Sequence, residues 1–292
     1  MTVELVVVSG KGGTGKTSIA ASLASLAAQR EKIVVVDCDV DASNLHLLLS
    51  PKVEREERFS GSKLAWIDPE KCTGCGLCEE YCRFNAVRPP RVDEFSCEGC
   101  GVCQFICPVE AVKLKERNSG LLYVSTTRYG PMCHARLNPG ESNSGKLVAL
   151  VRYHAKQIAS KEGLNLILSD GPPGVGCPTI SSLTGANYAL LVAEPTASGL
   201  HDLRRILSLT RHFKGLKPLA VVNQWDINPE VSRRIEAFCR EEDVELLGMI
   251  PFDRRVVEAA VNRLPVVEYA SDSPASKEIK NIWYKMENFL RP

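Results

Sequence analysis

The sequence predicts an α/β protein with a doubly wound, mostly parallel sheet, interrupted by a small cysteine-rich α+β module. Two observations predict the sheet: short apolar strand patterns alternate with helix patterns near the start of the chain, and the same alternation returns in its second half. A third predicts the module, because eight of the twelve cysteines fall in two consecutive runs between those halves. The 292 residues suffice for one sizeable core and a small insert.

The first half opens with a strand, a loop and a helix. A β-rich apolar run predicts a strand over residues 3–8, and a glycine-rich loop follows it. Residues 18–30 are good helix formers, and residues 32–36 read as the next strand. That strand delivers an acidic segment, residues 37–41, to one edge of the sheet.

The second half repeats the alternation of strands and helices, and four of its strands lead to polar residues or proline. These strands are predicted over 164–168, 188–193, 219–222 and 244–250, and they lead to Asp170, Glu194, Asn223 and Pro251. Strands that alternate with helices in this way imply a parallel sheet with helices on both faces.

Between the halves the alternation stops, which predicts an insertion. We predict a discontinuous α/β domain over residues 1–58 and 118–292, with an inserted module over 59–117 that contains both cysteine runs. Residues 118–146 are rich in glycine, serine and proline, so they are predicted to form the exit of the module and a surface loop.

The glycine-rich loop matches the phosphate-binding pattern G-x-x-x-x-G-K-[ST] and lies between a predicted strand and a predicted helix, as that pattern requires. Backbone N–H groups and the helix N-terminus are expected to cradle phosphates. Lys16 is expected to reach the β- and γ-phosphates, and the Thr17 hydroxyl to ligate Mg²⁺. The predicted cradle comprises Gly12, Gly13, Thr14, Gly15, Lys16 and Thr17.

Lys11 gives this loop a second lysine. The string from Lys11 to Thr17 resembles the deviant Walker A loop of the MinD/ParA/nitrogenase iron protein group of ATPases. The resemblance covers nearly all of the chain outside the insert. It implies an ATP-promoted homodimer in which Lys11 reaches across the interface to the partner's phosphates.

Two further segments match the switch regions of that group. Asp39 resembles the first switch aspartate, which orients the attacking water. Asp170 resembles the second switch aspartate, which holds Mg²⁺ through water, and Gly174 resembles the glycine that senses the γ-phosphate. The resemblance therefore implies a catalytic set of Lys11, Lys16 and Asp39.

The base-binding region is predicted at the ends of the late strands. Asn223, Pro251 and Asp253 resemble the adenine-contacting positions of the group, although Asp253 is also a candidate helix cap. Residues 223–226 also look like a degraded N-K-x-D guanine box in which Gln224 replaces the lysine. We expect ATP rather than GTP because the rest of the site follows the MinD-like pattern.

Both cysteine runs have the spacing C-x2-C-x2-C-x3-C, which resembles that of bacterial two-cluster ferredoxins. In that family the fourth ligand of each [4Fe–4S] cluster comes from the other run. The resemblance implies one cluster on Cys72, Cys75, Cys78 and Cys107, and a second on Cys97, Cys100, Cys103 and Cys82. Zinc is the alternative, because it also binds sets of four cysteines. Arg83 departs from the ferredoxin pattern, where proline often follows the first run.

Together these motifs look like a MinD-type ATPase that contains an inserted two-cluster ferredoxin domain. The leading hypothesis is slow ATP hydrolysis that controls dimer closure and gates electron transfer from the clusters to a redox partner or metal centre. A metallocluster assembly or carrier ATPase is the second hypothesis. The third is a spatial-organisation ATPase whose clusters are structural or sensory.

Four cysteines lie outside the two runs. Cys38 and Cys239 are predicted to be buried small side chains, as free cysteines usually are. Cys133 and Cys177 have two interpretations. They are either buried small side chains, or they have a metal or redox role at a dimer interface. His134, next to Cys133, is predicted to be a surface or turn residue.

Bulk properties exclude several other classes of protein. A net charge of +1 gives no basic field for nucleic acid, and no apolar run is long enough to cross a bilayer. Twelve cysteines without a secretion signal favour thiolate ligands in a reducing compartment, so we expect a cytoplasmic protein. The amphipathic pattern over 279–290 has few basic residues, which predicts packing against the core rather than membrane insertion.

Overall fold

The computed structural model describes residues 2–141 and 144–290, and these residues form two compact units. The first unit comprises residues 2–56, 122–136 and 144–290. The second comprises residues 57–121 and 137–141, and it contains both cysteine runs.

Eleven strands are present in the described residues. Their bounds are β1 Val3–Ser9, β2 Ile33–Asp37, β3 Lys52–Ile67, β4 Val87–Arg88, β5 Arg91–Val92, β6 Val112–Thr127, β7 Gly130–Leu137, β8 Leu166–Pro173, β9 Tyr188–Ala193, β10 Lys217–Asn223 and β11 Glu245–Ile250. The helices are α1 Lys16–Ala28, α2 Leu45–Leu49, α3 Leu77–Glu80, α4 Val102–Phe105, α5 Ser144–Glu162, α6 Cys177–Leu183, α7 Ala197–Thr210, α8 Pro229–Glu241, α9 Arg254–Val261, α10 Val266–Tyr269 and α11 Pro274–Leu290. A short 3-10 helix covers Trp225–Ile227.

Nine strands form one sheet in the order β11-β10-β9-β1-β8-β2-β7-β6-β3. From β11 to β7 every neighbouring pair is parallel. The chain moves outward from β1 in both directions, so helices cover both faces. This confirms the doubly wound, mostly parallel sheet predicted from the alternating pattern.

The core lies on the two faces of this sheet because side chains alternate along each strand. Leu5 and Val7 of β1 belong to one buried cluster, and Val6 and Val8 belong to the cluster on the opposite face. Strand β1 therefore reads as a continuous apolar run, which is typical of a parallel strand buried on both faces.

Helix α11 packs into the first of these clusters. Its buried side chains include Ile279, Ile282, Trp283, Met286 and Leu290. This confirms that the C-terminal amphipathic pattern packs against the core. Among residues 2–141 and 144–290, no helix is both long and apolar enough to cross a bilayer.

The surface loop predicted over residues 118–146 is wrong for most of its length. Strand β6 continues to Thr127, and β7 pairs parallel with β2 through Met132 and Cys133, which are fully buried. Gly130 begins β7 with φ of 122°, and its missing Cβ leaves room for the carbonyl of Ile33. Gly130 here allows the close approach of β7 to β2. Positions 142 and 143 lie outside the described residues.

The second unit contains two copies of one local pattern. Cys72 donates its backbone N–H to Asp68, and Cys97 donates to Asp93 in the same way. Each run then enters a four-residue helix, α3 or α4, whose preceding glycine has a positive φ. The repeated cysteine spacing therefore corresponds to a repeated backbone conformation. A two-stranded antiparallel sheet, β4-β5, lies between the copies along the chain.

Candidate functional site

The phosphate-binding loop joins β1 to α1 at the carboxyl edge of the sheet. Gly15 ends the loop with φ of 87°, and a Cβ at this position would collide with the side-chain amide of Asn223. That amide donates a 2.9 Å hydrogen bond to the carbonyl of Thr14. Asn223, predicted to contact adenine, therefore holds the loop from the end of β10 in this structure.

Lys16 lies at the bottom of the loop with its side chain 6% exposed. Burial lowers the pKa of its ammonium, while the nearby carboxylates of Asp170 and Asp39 act in the opposite direction. Burial also raises the pKa of Asp39, and the charge of Lys16 counteracts that rise. The two predicted switch aspartates and the predicted phosphate-binding lysine thus form one electrostatic group.

Asp170 lies within β8 and is almost fully buried. Burial raises the pKa of its carboxyl well above the usual value, and repulsion from Asp37 adds to the rise. The Thr17 hydroxyl donates a hydrogen bond to this carboxylate. The Oδ1 atom of Asp170 is buried and has no hydrogen-bond partner among the described residues. A hydroxyl beside an unpartnered carboxylate oxygen is a donor set that suits Mg²⁺.

Asp37 has a role that the sequence reasoning missed. It is fully buried and accepts hydrogen bonds from the Asp39 N–H, the Ser43 hydroxyl and the Leu45 N–H. Burial raises the pKa of this carboxyl to about 7. Asp37 therefore fixes the segment that carries Asp39. An acidic residue at the end of an otherwise apolar strand was the signal that could have identified it.

Lys11 and Gly174 lie at the rim of the same loop. The ammonium of Lys11 pairs with Glu194 of its own chain and donates to the hydroxyl of Ser198 over 3.0 Å. The Gly174 N–H donates to the carbonyl of Ser9 over 2.9 Å, which joins the predicted second switch to the end of β1.

The predicted adenine-contacting loop is held together by its own hydrogen bonds. Asp226 accepts from the Phe252 N–H over 2.7 Å, and Pro251, half-buried, precedes that residue. Asp253 is the N-cap of α9, where its carboxylate accepts from the Arg255 N–H over 3.0 Å. The carboxylates of this loop thus have structural partners, and the side chain of Phe252 is 47% exposed.

The eight cysteines of the two runs line two separate cavities of the second unit. One cavity is bounded by Cys72, Cys75, Cys78 and Cys107, and the other by Cys82, Cys97, Cys100 and Cys103. The remaining walls of both cavities are mostly apolar. The fourth cysteine of each run therefore lies with the first three of the other run.

The local chemistry of these cavities suits anionic sulfur ligands. Backbone N–H groups of Ala86 and Ala111 point at the sulfurs of Cys82 and Cys107, at 3.4 and 3.3 Å. Burial raises the pKa of the Cys78 and Cys103 thiols, a shift that bound metal would reverse because thiolate is the coordinating form. In the part of the chain that the structure describes, no three His, Cys, Asp or Glu side chains are grouped around a position for one single metal ion.

Of the four remaining cysteines, three are buried. Burial raises the pKa of the Cys133 thiol to about 12 and of the Cys239 thiol to about 11, and Cys38 is fully buried. Cys177 is exposed at the start of α6, just after the predicted second switch. His134 was predicted to be a surface or turn residue, and this is wrong. It lies in β7 and is 7% exposed, because β7 continues the sheet.

Comparison with known proteins relates the fold and the site to a family. The CobQ/CobB/MinD/ParA nucleotide binding domain matches residues 5–266. An uncharacterised protein of Methanocaldococcus jannaschii is 34% identical over 288 residues, which cover 99% of this chain and 98% of that protein. The iron-sulfur cluster carrier protein of Pyrococcus abyssi is 26% identical over 304 residues, covering 99% of this chain and 86% of the carrier.

Among solved structures, the chain is similar to the septum site-determining protein MinD of Pyrococcus horikoshii, determined with Mg-ADP. The TM-score is 0.62 at 20% identity, and the match covers 100% of this chain and 98% of that chain. The likeness concerns the fold.

Proposed function

Because the chain belongs to the CobQ/CobB/MinD/ParA family of nucleotide-binding domains, we propose that it binds Mg²⁺ and ATP at the 10–17 loop and hydrolyses the ATP slowly. The nucleotide promotes a homodimer. The cysteine-rich unit is an inserted ferredoxin-like domain with two [4Fe–4S] clusters. The dimer gates electron transfer from these clusters to a partner protein or metal centre.

The two four-cysteine cavities carry the cluster part of this proposal. In two-cluster ferredoxins the first three cysteines of one run combine with the last cysteine of the other. The cavities have that crossed composition, with Cys107 beside the first run and Cys82 beside the second. Crossed pairing supports clusters over zinc ribbons, in which each metal is usually held by two close pairs of ligands. Clusters held there supply one-electron transfer.

The protein's own groups tune these sites. The N–H donors of Ala86 and Ala111 stabilise negative charge on Cys82 and Cys107, and hydrogen bonds to sulfur are one determinant of cluster potential. Cys75 and Cys100 are exposed, whereas Cys78 and Cys103 are buried. Each cavity therefore has an open side through which an electron partner can approach.

The nucleotide part rests on the charged group around Lys16. Lys16 would neutralise the β- and γ-phosphates, and Thr17 and Asp170 would hold Mg²⁺, which adds charge neutralisation at the phosphates. Asp39 orients the attacking water, since Asp37 and the Ala42 N–H fix the segment and the carboxylate. Lys11 leaves Glu194 to meet the partner's nucleotide in the dimer.

Reoxidation of the reduced clusters tests the gating. Protein reduced with dithionite and freed of excess reductant is mixed anaerobically with an oxidised ferredoxin, with ATP, with ADP or without nucleotide. We expect the reoxidation rate with ATP to differ from the rates with ADP and without nucleotide, because the ATP-promoted dimer gates the transfer. Asp39→Ala should keep the ATP effect, and Lys16→Ala should lose it. Equal rates under all conditions would contradict gating.

A carrier role is the second candidate, since the similarity to the iron-sulfur cluster carrier of Pyrococcus abyssi favours it. A carrier releases its clusters to an acceptor apoprotein. Loaded protein is therefore incubated with an apo-ferredoxin, and the iron of each protein is measured after separation. Stoichiometric iron transfer supports the carrier role, whereas retained iron with ATP-dependent reoxidation supports electron transfer.

A further inference from the structure

A cavity of about 480 Å³ lies in the first unit beside the segment that follows Asp39. Small-molecule sites in proteins usually measure roughly 300–1,000 Å³. The hydroxyl of Ser43 holds Asp37, and the nucleotide roles proposed above use no other side chain that lines the cavity. Its lining consists of Asp41, Ala42, Ser43, Asn44, His46, Val53, Tyr123, His134, Ala135 and Arg136.

Strand pairing sets the position of this cavity. Strands β2 and β7 are parallel, with Val36 opposite Cys133. His134 and Arg136 follow on β7, so they lie at the carboxyl edge of the sheet, at the level of the segment that carries Asp39. Open parallel sheets bind ligands at this edge.

The inner wall is a stack of aromatic rings. His134 lies between His46 and Tyr123, with ring centroids at 5.9 and 4.9 Å and interplanar angles of 8° and 22°. Burial and the neighbouring His46 lower the pKa of His134 to about 4, and burial lowers that of His46. Both imidazoles are therefore neutral at neutral pH. His134 is buried between its two neighbours, so the half-buried rings of His46 and Tyr123 are those that can offer a flat, weakly polar surface to a ligand.

The lining of the cavity carries two charged side chains, Arg136 and Asp41. Arg136 is exposed and forms no ion pair or hydrogen bond with the residues that the structure describes. Its planar fork matches a carboxylate, which accepts two parallel hydrogen bonds. Asp41 adds one negative charge to the lining, which disfavours a dianion such as phosphate. Val53 and Tyr123 add apolar surface for the body of a ligand.

We propose that this cavity binds a small aromatic or apolar monocarboxylate, with its carboxylate on Arg136 and its body against Tyr123 and Val53. Ser43 and Asn44 supply further hydrogen-bonding groups from the 37–46 segment. The inference does not depend on the clusters or on ATP hydrolysis.

Direct binding tests this inference in the full-length protein without nucleotide. The probe is benzoate, titrated at low salt and followed by ligand-observed NMR. Benzyl alcohol serves as the uncharged analogue and inorganic phosphate as the dianion. We expect saturable benzoate binding, at least tenfold weaker binding of benzyl alcohol, and no competition by phosphate. Absence of saturable benzoate binding, or displacement of benzoate by phosphate, would overturn the proposal.

Variants distinguish benzoate binding in this cavity from benzoate binding at the phosphate loop. Arg136→Gln should weaken benzoate binding at least tenfold. The matched control Arg234→Gln, on the exposed side of α8, should bind as the wild type does. Lys16→Ala should also keep benzoate binding, because its ammonium belongs to the phosphate loop. Loss of binding in Lys16→Ala, or unchanged binding in Arg136→Gln, would show that the carboxylate sits elsewhere.

Discussion

The ammonium of Lys11 forms an ion pair with the carboxylate of Glu194 in the same chain. The hydroxyls of Thr196 and Ser198 accept from the same ammonium, at 3.4 and 3.0 Å. All three acceptors lie at or just after the carboxyl end of β9, where α7 begins. A trans role for Lys11 therefore requires this side chain to exchange its own acceptors for the phosphates of a partner's nucleotide.

Complementation between two inactive variants tests the trans role. Neither Lys11→Ala nor Asp39→Ala should hydrolyse ATP alone, but an equal mixture should recover about a quarter of the wild-type rate in a symmetric dimer. One site of each mixed dimer then combines an intact Asp39 in cis with an intact Lys11 in trans. The measurement is steady-state ATP hydrolysis of the mixture.

Light scattering in the presence of ATP supplies the control for this experiment. ATP should convert the Asp39→Ala protein to a dimer, because it binds nucleotide without turnover. A wild-type protein that stays monomeric with ATP yet hydrolyses it at the normal rate would rule out the trans mechanism.

Nucleotide binding should depend on Lys16 and favour adenine. Lys16→Ala removes the ammonium that faces the phosphates, so ATP binding should become undetectable by calorimetry, whereas Asp39→Ala should bind normally. GTP should bind more weakly than ATP, since Gln224 stands where a guanine box has lysine. Tighter binding of GTP would show that residues 223–226 read guanine.

Variants of Asp253 distinguish a helix-capping role of its carboxylate from a nucleotide-binding role. Asp253→Ala should lower the free energy of unfolding by about 1 kcal/mol, because α9 loses its N-cap. Asp253→Asn should unfold nearly as the wild type does, since asparagine also caps helices. ATP affinity should be unchanged in both variants. A loss of affinity without a loss of stability would instead place this carboxylate on the nucleotide.

His134 should make the stability of the protein depend on pH. Its pKa in the folded chain is lowered to about 4, so only the unfolded chain takes up a proton as the pH falls below about 6.5. Between pH 7.5 and pH 5 this side chain should cost the folded state about 2 kcal/mol. His134→Phe, which keeps an aromatic ring in the stack, should remove that part of the pH dependence. The measurement is urea unfolding at both pH values. An identical pH dependence in the variant would contradict the assignment.

The parallel core could be predicted from sequence because its strands are buried on both faces and read as continuous apolar runs. Strand β1 and strand β9 illustrate this, with predicted bounds within one residue of those observed. The β6–β7 region could not be predicted, because its glycines, serines and proline lie within strands, and composition alone does not distinguish such strands from a loop. Gly130, which lies against the carbonyl of Ile33, is the clearest case.

The sequence displays the motifs of the candidate site but not its hydrogen bonds. The phosphate loop and the switch aspartates have spacing that a sequence displays directly. The roles of Asp37 and Asn223 depend on partners distant in sequence or on burial: Asn223 holds the Thr14 carbonyl, and Asp37 holds the first switch segment. The ion pair between Lys11 and Glu194 could not be predicted either, since it joins two loops 183 residues apart.

Iron and acid-labile sulfide content of paired cysteine variants tests the cluster assignment most directly. The wild-type chain, purified anaerobically, should hold about eight iron and eight sulfide. The double variant with Cys72→Ala and Cys107→Ala loses two ligands of one cavity, so it should keep about four of each. The control double variant, with Cys72→Ala and Cys82→Ala, damages both cavities and should keep neither cluster. Stoichiometric zinc without sulfide in the wild type, or four iron in the control and none in the first variant, would contradict two crossed [4Fe–4S] sites.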